Sequence, residues 1–276
     1  MSHRFVAGEA LEEAISAARV SNEQGMLVSL DYLGENVATT ADAQRARDAY
    51  LQVFDRIAAE KLHANVSCKL TQLGLDMSAE FCEGLLLSIV ERAAAYDNFL
   101  RVDMEGSLYT ARTIDVVKRV RSKSPAIGTV IQAYLYRSEQ DVQDLLAYGC
   151  RIRLCKGAYK EPPEIAWTKM DDIRASYRRC AHLLLDGGHY PAIATHDEGL
   201  IQDALAYARE KGIAKDRYEF QMLYGLRPKR WDALVRDGHN VRIYVPYGTH
   251  WFPYFYRRLR ERKENVLFVL RSLLGG

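Results

Sequence analysis

Lys69, Asp103, Glu105, Gln132, Arg153, Lys156, Thr195, His196, Asp197, Gln221 and Tyr244 are scattered along the chain, yet each falls within or at the end of a short β-branched run. These side-chain types suit one kind of work. Lysine and arginine hold an anion, a carboxylate orients the cation beside it, and amides or hydroxyls fix a ligand by hydrogen bonds. Taken singly, each has a plainer reading: Lys69 and Asp103 on neighbouring runs can be a structural ion pair, His196 a loop histidine, and Gln132 an amide bonded to backbone. Their recurrence at one run end after another points instead to a lined cavity that accepts an anionic, hydrogen-bonding ligand of considerable size. The lysine of KGAY (156–159) offers a second chemistry, because a strand-end lysine can form a Schiff base with a carbonyl substrate.

Eight such runs can be found, at 27–33, 64–70, 99–105, 127–133, 151–157, 190–196, 218–223 and 240–246. Amphipathic stretches separate them, as in AQRARDAYLQVFDRIAAEKL, where Leu51, Phe54, Ile57, Ala58 and Leu62 recur at helical spacing. Gly149, Gly188 and Gly212 follow helical patterns at positions suited to left-handed caps. A period of about thirty residues, repeated eight times, is the arithmetic of a (β/α)8 barrel, with the site at the C-terminal strand ends. The structural rival is a doubly wound open sheet, but no GxGxxG follows the first run. No linker or low-complexity tract divides the chain, so residues 1–276 read as one barrel domain.

Composition narrows the function classes. With 38 basic and 36 acidic side chains and no long basic block, nucleic acid is not an expected partner. The five cysteines (Cys68, Cys82, Cys150, Cys155, Cys180) lack CxxC spacing and the seven histidines are dispersed, so neither a disulfide framework nor a metal site is indicated. There is no GxSxG and no HExxH. A reducing cytoplasm is the natural compartment. Without a signal peptide or a membrane-length apolar stretch, membrane contact would be peripheral, at the inner face.

YFYRR (254–258) sets two arginines against three aromatic rings, and a second tyrosine-arginine-arginine triplet at 177–179 reads as a solvated helix face. The stretch containing YFYRR, RIYVPYGTHWFPYFYRRLRERKEN (242–265), together with SCKLTQLGLD (67–76), RVDMEGS (101–107), IQAYLYRSEQD (131–141), RIRLCKGAYKEP (151–162), ATHDEGLI (194–201) and YEFQMLYGLR (218–227), resembles the flavin-dependent proline dehydrogenases almost end to end. The resemblance implies a distorted (β/α)8 barrel that binds FAD, oxidises L-proline to 1-pyrroline-5-carboxylate and passes electrons to a membrane quinone. It implies a last helix, beginning near Trp251, above the barrel mouth. Arg257 and Arg258 would then hold the proline carboxylate, Lys69 would add a third positive contact oriented by Asp103, and Tyr244, Tyr254 and Leu223 would pack near the ring. Each charge-assisted contact is worth about 1.5–3 kcal/mol.

Carried over residue by residue, the flavin positions are Met104, Gln132, Arg153, Lys156, Gly157, Ala158, Tyr159, Thr195 and His196. Among these, Arg153 would stabilise negative charge on the reduced ring, Lys156 would meet the phosphates with small Gly157 and Ala158 allowing close approach, and Thr195 and His196 would meet the adenine half. Asp103, Arg153 and Tyr244 form the expected catalytic group. The extra N-terminal helices of many members are expected to be short or missing. The aldehyde dehydrogenase module of the bifunctional members is expected to be absent, leaving the pyrroline product to a separate pyrroline-5-carboxylate dehydrogenase. A Schiff-base lyase using Lys156 and a non-catalytic amino-acid-binding barrel are the alternatives.

Overall fold

The computed structural model describes residues 5–260, and for 257–260 the backbone alone. All eight runs form strands: β1 Leu27–Tyr32, β2 Ala64–Cys68, β3 Leu100–Val102, β4 Ile127–Gln132, β5 Arg151–Cys155, β6 Ala192–Ala194, β7 Glu219–Leu223 and β8 Asn240–Tyr247. They pair in parallel and in chain order, and β8 closes on β1 with Leu27 opposite Arg242 and Asp31 opposite Pro246. The helices are α1 Leu11–Glu23 before β1, then α2 Thr40–Ala59, α3 Ala79–Ala95, α4 Ser107–Arg121, α5 Ser138–Ala147, α6 Met170–Gly187, α7 Glu198–Glu210, α8 Pro228–Arg236 and α9 Trp251–Arg260. This is the closed (β/α)8 barrel expected from the period of the sequence.

The amphipathic pattern explains the outer layer. On α2, Ala43, Ala46, Tyr50, Val53, Phe54 and Ile57 are buried, with Leu51 and Ala58 on the flank of that stripe and Leu62 beyond the helix end. Thr39 begins α2 by accepting a hydrogen bond from the Asp42 amide at 3.1 Å, and Ser78 does the same for α3 from the Phe81 amide at 3.2 Å. Gly149 and Gly212 take positive φ as helix-ending glycines do, but Gly188 has a φ of −81° in extended backbone and is not a left-handed cap.

Inside the barrel the strands alternate apolar residues toward the helices with polar residues toward the axis. β1 turns Ser29 and Asp31 inward, β2 Ser67, β3 Arg101, β5 Arg153, β7 Glu219 and Gln221, and β8 Arg242 and Tyr244; all but half-buried Tyr244 are buried. A charged interior survives only if each group finds a partner, and much of the site's geometry follows from that demand. The segment before α1 crosses to α9, where Phe5, Val6, Leu33, Leu226, Tyr254 and Phe255 form a separate apolar cluster. That cluster seats the last helix above the C-terminal strand ends. Among the described residues no helix is long and apolar enough to cross a membrane.

Candidate active site

The strand ends open into a cavity of about 400 Å³ at the C-terminal mouth. Lys69, Asp103, Met104, Gln132, Arg153, Lys156, Gly157, Ala158, Tyr159, Thr195, His196, Leu223, Tyr244 and Tyr254 all line it, so residues from seven strand ends and α9 converge on one space. Arg257 and Arg258 fall on α9, but their side chains lie outside the described residues.

Arg153 is the hub. Its Nη1 donates to Asp103 Oδ1 at 2.6 Å, its Nη2 to Ser67 Oγ at 3.1 Å and Ser29 Oγ at 3.3 Å, and its Nε to Gln221 Oε1. The side chain starts on β5 and reaches β1, β2, β3 and β7, a span that only the longest cation makes. One Nη1 hydrogen is left uncommitted among the described residues. The guanidinium carbon also lies 5.1 Å from the centroid of the Tyr244 ring, and the Tyr244 hydroxyl donates to Asp103 Oδ2 at 2.7 Å. Burial, then the Asp103 carboxylate, pushes the Tyr244 phenol well above its ordinary range, so it stays protonated as a donor.

Lys69 does not pair with Asp103, as its neighbouring position suggests. Its Nζ lies 3.3 Å from both carboxylate oxygens of Asp31, a residue 0% exposed, while Asp103 is taken by Arg153. The register explains the exchange: Asp31 stands opposite Ser67, two residues from Lys69 along the adjacent strand, so the two side chains leave the barrel together. Burial opposes the charge on Lys69, but Asp31 and then Asp103 outweigh it, and the ammonium pKa is raised. Burial raises the Asp31 carboxyl against the pull of Lys69. Asp31 was signalled by the one acid inside the apolar run LVSLDYL.

The opposite side of the mouth is basic. Lys156 Nζ and Arg174 Nε share Asp197 Oδ2 at 3.4 and 2.9 Å, while Arg227 and Arg230 share Glu198 at 3.0 and 2.9 Å. Four cations against Asp197, Glu198 and the exposed Asp171, which Arg174 also pairs at 3.1 Å, leave an excess of one positive charge beside the N-terminus of α7. An ion-paired Lys156 is a point charge, not a lysine held in the apolar pocket that readies an amine for Schiff-base chemistry.

A sequence profile described as proline dehydrogenase matches residues 14–271, almost the whole barrel. The chain belongs to the proline dehydrogenase family. It is 38% identical to proline dehydrogenase 2 of Bacillus subtilis over 98% of this chain and 89% of that protein. With the proline dehydrogenase of Deinococcus radiodurans it shares 36% identity over 100% of this chain and 91% of the other. Among solved structures, proline utilization A from Bdellovibrio bacteriovorus, inactivated by N-propargylglycine, superposes with a TM-score of 0.88 at 27% identity, over 94% of this chain and 32% of that one.

Several expectations for this family member need adjustment in detail. His196 accepts from the Leu223 backbone amide through Nε2 at 3.0 Å, so part of its capacity goes to anchoring the end of β7. Gln132 donates to the Glu105 carbonyl at 2.9 Å, and Thr195 Oγ1 accepts from the Asp197 amide at 3.1 Å. Gly157 has a φ of +115°, and a Cβ there would meet the Tyr134 ring at 2.4 Å; packing as well as access to the cavity calls for glycine. Tyr177 is not part of a solvated face: it is 1% exposed and donates to the Leu154 carbonyl at 3.1 Å, with only Arg178 and Arg179 turned outward. Val130, Cys155, Met170, Ile173, Ala194, Met222 and Leu226 complete the lining and were not foreseen, since apolar lining residues look like core in a sequence.

Proposed function

We propose that this chain oxidises L-proline to 1-pyrroline-5-carboxylate, with FAD in the mouth cavity as the hydride acceptor, and forms the first step of proline breakdown. The observation that carries this reading is the division of one cavity into two chemically distinct ends. At one end Lys69, Arg153, Tyr244, Tyr254 and Leu223 meet, and at the other Lys156 lines the cavity, backed by Arg174, Arg227 and Arg230 around Asp197, Glu198 and Asp171 with an excess of one positive charge. That excess suits the diphosphate of FAD, and the apolar Met104, Val130 and Met222 suit a flat ring system between the two ends. The residues therefore fit the group: Lys156, Thr195 and His196 toward its nucleotide part, Gly157, Ala158 and Tyr159 along its chain, and Met104, Gln132 and Arg153 about its ring.

FAD, when bound, accepts the hydride that leaves C5 of proline. The protein's part is binding and orientation. Lys69 supplies one cation for the proline carboxylate, and Arg257 and Arg258, adjacent on α9, supply two more. Tyr244 and Tyr254, whose rings are stacked with centroids 6.5 Å apart, and Leu223 give the pyrrolidine its apolar wall. Arg153 keeps one uncommitted hydrogen and a buried positive charge for the ring end of the cavity, which favours electron acceptance there. The proline amine must be neutral for its lone pair to form the C5=N bond as the hydride departs. No histidine base is placed at that end among the described residues, and solvent, or a pocket that lowers the amine pKa, does this work.

Electrons then pass to a membrane quinone through peripheral contact at the inner face, and the pyrroline is consumed by a separate dehydrogenase. The test is product formation: with L-proline and a soluble quinone the protein yields a cyclic imine that an aromatic o-aminoaldehyde traps. Absence of the adduct, or trapping of a carbonyl substrate on Lys156 by borohydride, would overturn the reading.

A further inference from the structure

At the opposite, N-terminal end of the barrel lies a second cavity, of about 550 Å³, between the starts of β1, β2, β3, β4, β5 and β8. Arg151, Arg242, Asn65 and Phe99 line it. This end of such a barrel ordinarily serves stability. Here it carries an imbalance that stability does not explain.

Three guanidiniums gather at this end of the barrel, two of them over one ring. Arg151 lies 4.5 Å and Arg101 5.0 Å from the Phe99 centroid, and Arg151 also lies 4.8 Å from the Tyr190 centroid. Arg242 is tied to Glu219 at 2.8 Å and to the Val28 carbonyl at 2.7 Å, and Arg101, 1% exposed, donates Nη1 to the Thr129 and Arg151 carbonyls at 3.2 Å. Glu219 is the one buried carboxylate among them. Arg151 and Arg242 line the cavity and Asp97 and His63 stand exposed at its rim, while Arg101 and Glu219 lie buried beside it, so three cations gather there against one buried anion. Among the described residues Arg151 makes no ion pair and no side-chain hydrogen bond with protein. Its half-buried fork, with a fully buried Nε, faces no acceptor. Asn65, 5% exposed, likewise has an unpartnered Oδ1, and its amide can be turned to offer Nδ2 instead.

A partly desolvated guanidinium whose fork meets no protein acceptor is costly, and burial together with the neighbouring arginines, against the pull of Glu219, depresses the affinity of Arg101 and Arg151 for their protons. A bidentate oxyanion would satisfy the Arg151 fork and cancel the excess charge in one step. We propose that the N-terminal cavity is a binding site for a small oxyanion, phosphate-like in size and charge, held by Arg151, Arg242 and the Asn65 amide. The site is separate from the mouth cavity and does not depend on what the mouth oxidises.

It is nevertheless wired to the mouth. Arg242 bonds Glu219, Glu219 accepts from Gln221, Gln221 accepts from Arg153, and Arg153 holds Asp103, so one polar chain runs the length of the barrel. An anion that draws Arg242 away from Glu219 alters the charge balance along that chain.

The experiment uses the full-length protein loaded with its cofactor and inorganic phosphate as the probe. Thermal midpoints are compared in phosphate and in chloride at equal ionic strength, for the wild type and for Arg151→Gln, Asn65→Leu and Lys156→Gln. The wild type should gain about 3 °C at a phosphate concentration ten times its dissociation constant. Arg151→Gln and Asn65→Leu should lose that gain, and Lys156→Gln, at the mouth, should keep it. If Arg151→Gln does not fold, Asn65→Leu decides alone, because it removes a group that has no partner to lose. No phosphate-specific gain in the wild type, or a gain retained in Asn65→Leu and abolished in Lys156→Gln, would overturn the proposal.

Discussion

Replacing Asp31 with asparagine keeps the size of the side chain and removes its charge. Lys69 Nζ sits 3.3 Å from both Asp31 oxygens with almost no solvent access, so the substitution strands an ammonium that the fold had neutralised. Removing one partner of a buried ion pair costs about 3–5 kcal/mol. The lower end applies here, since the asparagine carbonyl still accepts one hydrogen bond and Asp103 also attracts the ammonium. In a chain of this size about 3 kcal/mol corresponds to a fall in thermal midpoint of roughly 6–12 °C. The diagnostic part is ligand dependence. If Lys69 belongs to the carboxylate site, the proline carboxylate supplies the missing negative charge in the variant, and saturating L-proline should raise its midpoint by more than it raises that of the wild type. Paired melting curves by circular dichroism, with and without L-proline, measure both quantities. An unchanged midpoint would refute the pairing as an energetic element, and equal proline-induced rises would refute the placement of Lys69 at the carboxylate.

Arg257→Met should raise the apparent KM for L-proline by tenfold or more, one lost charge-assisted contact at about 1.5–3 kcal/mol, with flavin content unchanged; steady-state kinetics beside a flavin absorbance ratio checks it. Gly157→Ala should destabilise the protein by about 1–3 kcal/mol and lower its flavin occupancy, because the backbone is held at φ +115° and the new methyl meets the Tyr134 ring; denaturant midpoints and the absorbance ratio report the two effects. Burial and then Lys215 lower the pKa of His239 below its ordinary 6.5, so the unfolded chain binds the proton more readily. Stability from this group is present above about pH 6.5 and is lost as the pH falls through the lowered value. His239→Gln should flatten the decline of the thermal midpoint between pH 7.5 and 5.5, and an identical decline would exclude the histidine as its source.

The strands were legible because their signal is local: a β-branched run, a glycine or polar break, an amphipathic stretch, repeated eight times. β6 is Ala192–Ala194 within 190–196 and β3 Leu100–Val102 within 99–105, since past those ends Thr195, His196, Asp103 and Met104 line the mouth, although Pro191 and Asp103 still make single backbone bonds to the neighbouring strands. The strand-end polar set was legible for the same reason. Partner choice was not. Whether Asp103 meets Lys69 or Arg153 depends on the stagger of strands around a closed barrel and on how far a guanidinium reaches, and neither is written in spacing along one chain. Asp31 stands inside the apolar run LVSLDYL rather than at its end, and a lone acid there reads as part of the strand. Arg101, Arg151 and Arg242 alternate with the very residues that were singled out, two positions before Asp103, Arg153 and Tyr244, so strand alternation could have announced a second polar layer below the first. Arg174, Arg227 and Arg230 sit on helices and a loop, where basic residues ordinarily face solvent.

The most direct test of the proposed proline oxidation is the visible spectrum of the FAD-loaded protein under anaerobic conditions, before and after L-proline is added. The account predicts that the oxidised flavin bands bleach with L-proline and return when a quinone is admitted. A protein that binds FAD and keeps those bands in the presence of L-proline would contradict it.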